Sequence, residues 1–137
     1  ASMILTPHPG EMVRLWKSLF RKAMPQSRTE QAIAVADATE SIIVLKGAGT
    51  VVTDGKRIYV NTTGNPGMAT AGAGDVLTGV IAALAGQHLS DFDAAVLGVY
   101  IHGLAGDISA QDKGQISLIA TDLVEGLHKA FLKTEQF

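Results

Sequence analysis

Apolar positions along the chain either recur at helical spacing or gather in short continuous runs, which separates helical from extended stretches. Met3-Ile4-Leu5 is a short apolar run ended by Thr6-Pro7-His8-Pro9-Gly10, where two prolines oppose continued ladder pairing or helix. A buried strand followed by a loop is expected. From Glu11 to about Lys22, Met12, Leu15, Trp16, Leu19 and Phe20 return at helical spacing, with Arg14, Lys17, Arg21 and Lys22 on the other face. Met24-Pro25-Gln26 breaks this amphipathic helix. Ser27 with Glu30 then has the capping-box spacing of an Ala-rich helix that runs through about Thr39.

Ile42-Ile43-Val44-Leu45 is continuous, β-branched and bounded by Ser41 and Lys46, the pattern of a central strand buried on both faces. Lys46-Gly47-Ala48-Gly49 turns the chain. Thr50 to Thr53 and Arg57 to Val60 flank Asp54-Gly55-Lys56, and Asp-Gly between β-rich runs predicts a hairpin. Asn61 to Gly72, rich in Gly, Thr, Asn and Pro, reads as a loop without a regular element. Val76, Leu77, Val80, Ile81 and Leu84 form a helical stripe over Asp75 to Leu84, with Gly86 placed to end it. Ser90 with Asp93 offers an N-cap to a long helix through about Ala110, closed by Asp112-Lys113-Gly114, and a last helix spans about Thr121 to Lys133. This order predicts an α/β layer fold. Its four strands are few for so many helices, so either the sheet is small or other strands lie upstream of residue 1.

Size and composition narrow the picture. Residues 1–137 read as a single domain with no repeat or linker. At 47% hydrophobic and 18% charged residues, the chain has ample core and leaves apolar surface for other polypeptide to cover. A net charge of −2 provides no concentrated basic face, so no nucleic acid is expected and a small-molecule partner is the default. No apolar run is long enough to span a bilayer, so no membrane partner is expected. The absence of Cys removes disulfides and thiolate metal sites and fits a cytoplasmic protein.

The strongest chemical signal is the loop Asn61 to Gly74 running into Asp75. Its glycines let backbone amides approach an anion, and a helix starting near Asp75 aims its unpaired N–H groups and positive dipole end at that anion. Asp75 is the catalytic candidate: an acid there can take a proton from a substrate hydroxyl while the amides stabilise phosphoryl charge. Taken alone, the loop reads equally well as a tight turn with Asp75 as a helix cap. It is neither a P-loop nor a dinucleotide fingerprint. Lys46-Gly47-Ala48-Gly49-Thr50 follows a buried strand, and ligands of open α/β sheets sit outside carboxyl strand ends, so this turn can reach the same crevice. Thr6 to Glu11 also follows a strand and sets His8 between two prolines, a rigid frame for a residue that must point at something. His102 reads as a packed, hydrogen-bonded histidine, Asp107 as a brace for a loop or as a support behind the site, Trp16 and Phe20 as core or partner-facing, and His88 and His128 as surface residues.

Together these segments resemble a known family. Thr6-Pro7-His8-Pro9-Gly10-Glu11, Val44-Leu45-Lys46-Gly47-Ala48-Gly49-Thr50 and Gly64-Asn65-Pro66-Gly67-Met68-Ala69-Thr70-Ala71-Gly72-Ala73-Gly74-Asp75 are similar to segments of the ADP/ATP-dependent NAD(P)H-hydrate dehydratases of the ribokinase-like superfamily. Gly98 to Asp107 and Ser117 to Asp122 follow the same family in order. The resemblance implies a three-layer, Rossmann-like sheet and dehydration of NADHX or NADPHX to NADH or NADPH at the expense of ADP or ATP. In that family the nucleotide is thought to phosphorylate the ring hydroxyl and so make it a leaving group. It further implies that His8 and Asp75 contact the hydrated cofactor, and that Lys46, Gly47, Ala48, Gly49, Thr50, Asn65, Gly72, Ala73 and Gly74 hold the nucleotide. Mg2+ would bridge the phosphates, and no metal-ligating residue is assigned.

Family members are about twice this long, and this chain matches their C-terminal half. It therefore reads as a fragment or as one partner of a split domain, and association into a homo-oligomer or with an N-terminal half is expected. Two other readings stand beside the dehydratase. A ribokinase-like kinase of the hydroxymethylpyrimidine or hydroxyethylthiazole type shares a loop ending in Gly-Asp, although Lys46 to Thr50 and Asn65 to Met68 favour the dehydratase. A nucleotide-binding chain without catalysis of its own is the third.

Overall fold

The computed structural model describes residues 3–135. They divide into two compact units, one running to Asn61 and including Ser90–Val96, the other comprising Thr62–Leu89 and the chain from Leu97 onward. The order of elements is β1 (Ile4–Leu5), α1 (Pro9–Leu19), α2 (Arg28–Thr39), β2 (Ile42–Leu45), β3 (Val51–Thr53), β4 (Ile58–Val60), a short 3-10 turn (Pro66–Met68), α3 (Ala73–Gly86), α4 (Asp91–Lys113) and α5 (Ala120–Thr134).

In the first unit the four strands form one sheet in the order β1-β2-β3-β4. β1 and β2 are parallel, with Ile4 opposite Ile42 and Leu5 opposite Ile43, so their carboxyl ends lie side by side. β2, β3 and β4 continue as an antiparallel meander, with Leu45 opposite Val51 and Val51 opposite Val60. β2 is buried at all four positions, as its unbroken β-branched run predicts. β4 alternates exposed and half-buried residues, as an edge strand should. Met12, Trp16, Val35, Ile43, Leu45 and Val51 make the core of this unit. The hairpin turns where Asp-Gly stands: Asp54 accepts from the N–H groups of Lys56 and Arg57 and from the Arg57 guanidinium. Partial burial pushes the Asp54 carboxyl up, but these hydrogen bonds outweigh it and bring the pKa to about 2.

The second unit is helical. Ile101, Ala105 and Ala130 form a buried apolar cluster there, packed by Leu97, Tyr100, Leu104, Ile108, Leu127 and Phe131. Among the described residues, no helix is long and apolar enough to cross a membrane.

Several boundaries differ from expectation; α3 begins at Ala73 rather than Asp75, and α4 continues past Ala110 to Lys113. α1 starts at Pro9, because the first turn of a helix has no use for the missing proline N–H and its fixed φ suits the helix. It also ends early, at Leu19: Phe20 turns extended and packs its ring at a tilt against Trp16, whose indole N–H donates to Lys22 O at 2.8 Å. α3 runs through Gly86, the left-handed residue falling instead on His88 with φ 68°. The Asn61 to Gly72 stretch holds one regular piece, the 3-10 turn that Asn65 caps.

Candidate functional site

In the first unit, two segments follow the parallel strands and meet at a backbone hydrogen bond, Lys46 N–H to Pro7 O at 2.9 Å. His8 is the N-cap of α1. Its Nδ1 accepts from Gly10 N–H at 3.0 Å and Glu11 N–H at 3.2 Å, which makes Nδ1 the unprotonated nitrogen of the ring. Glu11 Oε1 accepts from His8 N–H at 3.1 Å and lies 3.2 Å from Nε2, so the two residues close a reciprocal cap. The hydrogen bond from the His8 backbone, helped by the charge of Lys46 and Arg14, holds the Glu11 carboxyl below its ordinary range. His8 is thus fixed in place with its ring exposed at one edge.

The Lys46 to Thr50 turn is built on glycines at φ +148° (Gly47) and +65° (Gly49). Thr50 Oγ1 donates to Gly47 O at 3.0 Å. Its other anchor is a residue that the sequence patterns passed over. Arg28, the first residue of α2, reaches four backbone carbonyls of this turn and the strand end before it. Nothing in a single sequence distinguishes such an Arg from a solvated one.

In the second unit, the loop before α3 is pinned from α4. Asp107 Oδ2 accepts from Gly64 N–H and Oδ1 from Asn65 Nδ2, each at 2.9 Å. Asn65 Oδ1 in turn accepts from Gly67 N–H at 3.0 Å. The side-chain amide of Asn65 is therefore engaged on both ends in shaping the loop. Thr63 Oγ1 donates to Tyr100 O at 2.9 Å. Asp107 does brace a loop, and His102, with Nε2 2.9 Å from Ala73 O, packs against the first turn of α3.

That first turn is unlike the other helix starts. Gly72 is the N-cap at φ 86°, a conformation open to glycine, and no side chain caps the helix. Ala73, Gly74 and Asp75 occupy the first three helical positions. Val76 N–H makes the first intrahelical bond, to Gly72 O at 3.1 Å. The N–H groups of Gly74 and Asp75 are among the donors that an α-helix cannot satisfy internally. Asp75 is exposed, and among the described residues its carboxylate has no hydrogen-bond or ion-pair partner. Each of the other helices also carries an acid at its third position, but there it is engaged or the helix is capped. Ser27 Oγ accepts from Glu30 N–H in α2, Ser90 Oγ from Asp93 N–H in α4, and Asp122 Oδ2 from Ile119 N–H in α5.

A protein-family model described as NAD(P)H-hydrate dehydratase matches residues 1–129. The chain belongs to the NAD(P)H-hydrate dehydratase family. A bifunctional NAD(P)H-hydrate repair enzyme from Moorella thermoacetica is 51% identical over 127 residues, covering 91% of this chain and 24% of the relative. An ADP-dependent (S)-NAD(P)H-hydrate dehydratase from Neisseria meningitidis is 39% identical over 126 residues, covering 91% of this chain and 41% of the relative. The solved ADP/ATP-dependent NAD(P)H-hydrate dehydratase from Bacillus subtilis, co-crystallised with ATP and Mg2+, is similar with a TM-score of 0.86 at 32% identity, over 96% of this chain and 48% of that one. This dehydratase-family chain has the ribokinase-like α/β fold and spans about half the length of that structure.

Proposed function

We propose that this chain supplies nucleotide-binding and catalytic residues for ADP- or ATP-dependent dehydration of NAD(P)HX to NAD(P)H. The observation that carries the proposal is the start of α3: a glycine cap, amides without a side-chain acceptor, and an unengaged carboxylate beside them. Donors in that position match the charge of a transferring phosphoryl group. Asp75 takes the proton of the ring hydroxyl as the hydroxyl oxygen bonds to the terminal phosphorus, and the P–O bond to the rest of the nucleotide breaks. The ring C–O bond then breaks with phosphate as the leaving group, and loss of a ring proton restores the double bond.

Lys46 to Thr50 serve the nucleotide, as do Asn65, Gly72, Ala73 and Gly74, with Asn65 acting through the loop it shapes. His8, preorganised by its cap, contacts the hydrated cofactor. Among the described residues, no group of three or more His, Asp or Glu is placed to hold a metal. A divalent ion such as Mg2+ would enter with the nucleotide phosphates, its ordinary mode of binding. The 137 residues correspond to the C-terminal half of a ribokinase-like domain. β1, paired on one side only among the described residues, supports association with further polypeptide.

The test is recovery of NADH absorbance from NADHX in the presence of ADP or ATP. Asp75→Ala is expected to slow turnover by about 10²- to 10⁴-fold while nucleotide affinity is kept. Full activity in that variant removes the catalytic assignment. A stable phosphorylated product in place of NADH turns the assignment to a small-molecule kinase.

A further inference from the structure

Arg28 belongs to no motif, yet its half-buried guanidinium gathers four carbonyls. Nη2 donates to Leu45 O at 3.0 Å and Lys46 O at 3.1 Å, and Nη1 to Ala48 O at 2.6 Å and Gly49 O at 3.4 Å. A guanidinium is a rigid planar fork, so it fixes the direction of the carbonyls it holds as well as their position. In a planar trans peptide the N–H points opposite to the C=O. The amides that share peptide planes with Lys46 O, Ala48 O and Gly49 O are those of Gly47, Gly49 and Thr50. They are consequently turned away from Arg28. Carbonyl oxygens on a binding face repel an anion, and drawing them onto a half-buried cation removes that repulsion while leaving the donors outward. Gly47 makes the approach possible, since a Cβ there would stand 2.8 Å from Nη2.

We propose that Arg28 is a positioning residue that sets the peptide planes of the Lys46 to Thr50 turn so that their amides face the phosphates of ADP or ATP. The proposal rests on the nucleotide role given to that turn above. Arg28→Lys keeps the charge and loses the fork. In the 137-residue chain it is expected to weaken ADP binding at least about tenfold by calorimetry. The amide order parameters of Gly47 and Gly49 should fall from about 0.85 to below about 0.6. Gly47→Ala, which displaces the guanidinium without altering it, is expected to weaken ADP binding likewise and to lower the order parameter of the Gly49 amide.

A turn that stays as rigid in both variants as in the wild type overturns the proposal whatever ADP does. So does a loosened turn with unchanged ADP affinity, and Lys46→Ala then separates the causes. If Lys46→Ala loses ADP while Arg28→Lys retains it, only the role of Arg28 has failed. If Lys46→Ala and the wild type bind ADP equally, or neither binds it, the nucleotide reading has failed and takes the proposal with it.

Discussion

The starts of α1 and α3 share one ground plan and end in opposite states. Each has glycine at the second helical position and an acid at the third: Gly10 and Glu11 in α1, Gly74 and Asp75 in α3. In α1 the cap residue is His8, whose ring accepts the Gly10 and Glu11 amides while Glu11 reaches back to the His8 N–H. In α3 the cap is Gly72, which has nothing to offer the amides, and Asp75 stays unengaged among the described residues. A helix N-terminus is a ready site for an anion only while its donors are unspent. The difference between the two helices therefore lies in the cap residue rather than in the glycines or the acid, and it makes α3 the place for a phosphoryl group.

Exchanging the roles of the two acids breaks the comparison most severely. Asp75→Ala should cost the 10²- to 10⁴-fold in turnover expected of a lost general base. Glu11→Ala should leave turnover within about threefold and lower stability by about 1 kcal/mol, measured by urea unfolding. Comparable activity losses in both would erase the distinction.

The caps come next. Gly72→Ala forces a side chain into φ 86° with its Cβ 3.1 Å from that of Ala120. The expected cost is about 1–2 kcal/mol in the same unfolding experiment. His8→Ala empties the cap of α1 and should cost about 1 kcal/mol.

The smallest effect is a pH dependence. The folded-state pKa of Glu11 lies below its ordinary value, so its contribution to stability is present above about pH 4.5 and is lost as pH falls through the lower, folded value. The stability gap between wild type and Glu11→Gln should shrink between about pH 5 and pH 3. Because Glu11 is exposed, the change should amount to a few tenths of a kcal/mol. A gap that widens on acidification would contradict the reciprocal cap.

Much of this was readable from single residues in their local setting. Asp54-Gly55 gave the hairpin its turn, the Ile42 to Leu45 run gave a strand buried on both faces, and Ser27 gave α2 its cap. Local patterns mislead at Pro9, where a breaker in mid-helix is a good first residue, and at Gly86, which stays helical while the cap falls on Gln87 and the left-handed residue is His88. They do not show contacts made across the sequence. Arg28 lies 17 to 21 residues from the carbonyls it holds, and Asp107, legible as a brace, gives no sign that its partners are Gly64 and Asn65, 43 and 42 residues away. Nor do they tell the start of α1 from that of α3, since the sequence does not announce that a histidine ring will fold back onto its own helix.

The account turns on the unspent amides of α3, and titrating the 15N-labelled chain with ADP and Mg2+ while following backbone amide resonances tests them directly. The largest shifts are expected at Gly74 and Asp75, with Gly10 and Glu11 holding their positions because their amides are already bonded to His8. Shifts centred on Gly10 and Glu11, or a saturating titration that leaves Gly74 and Asp75 unmoved, would contradict it.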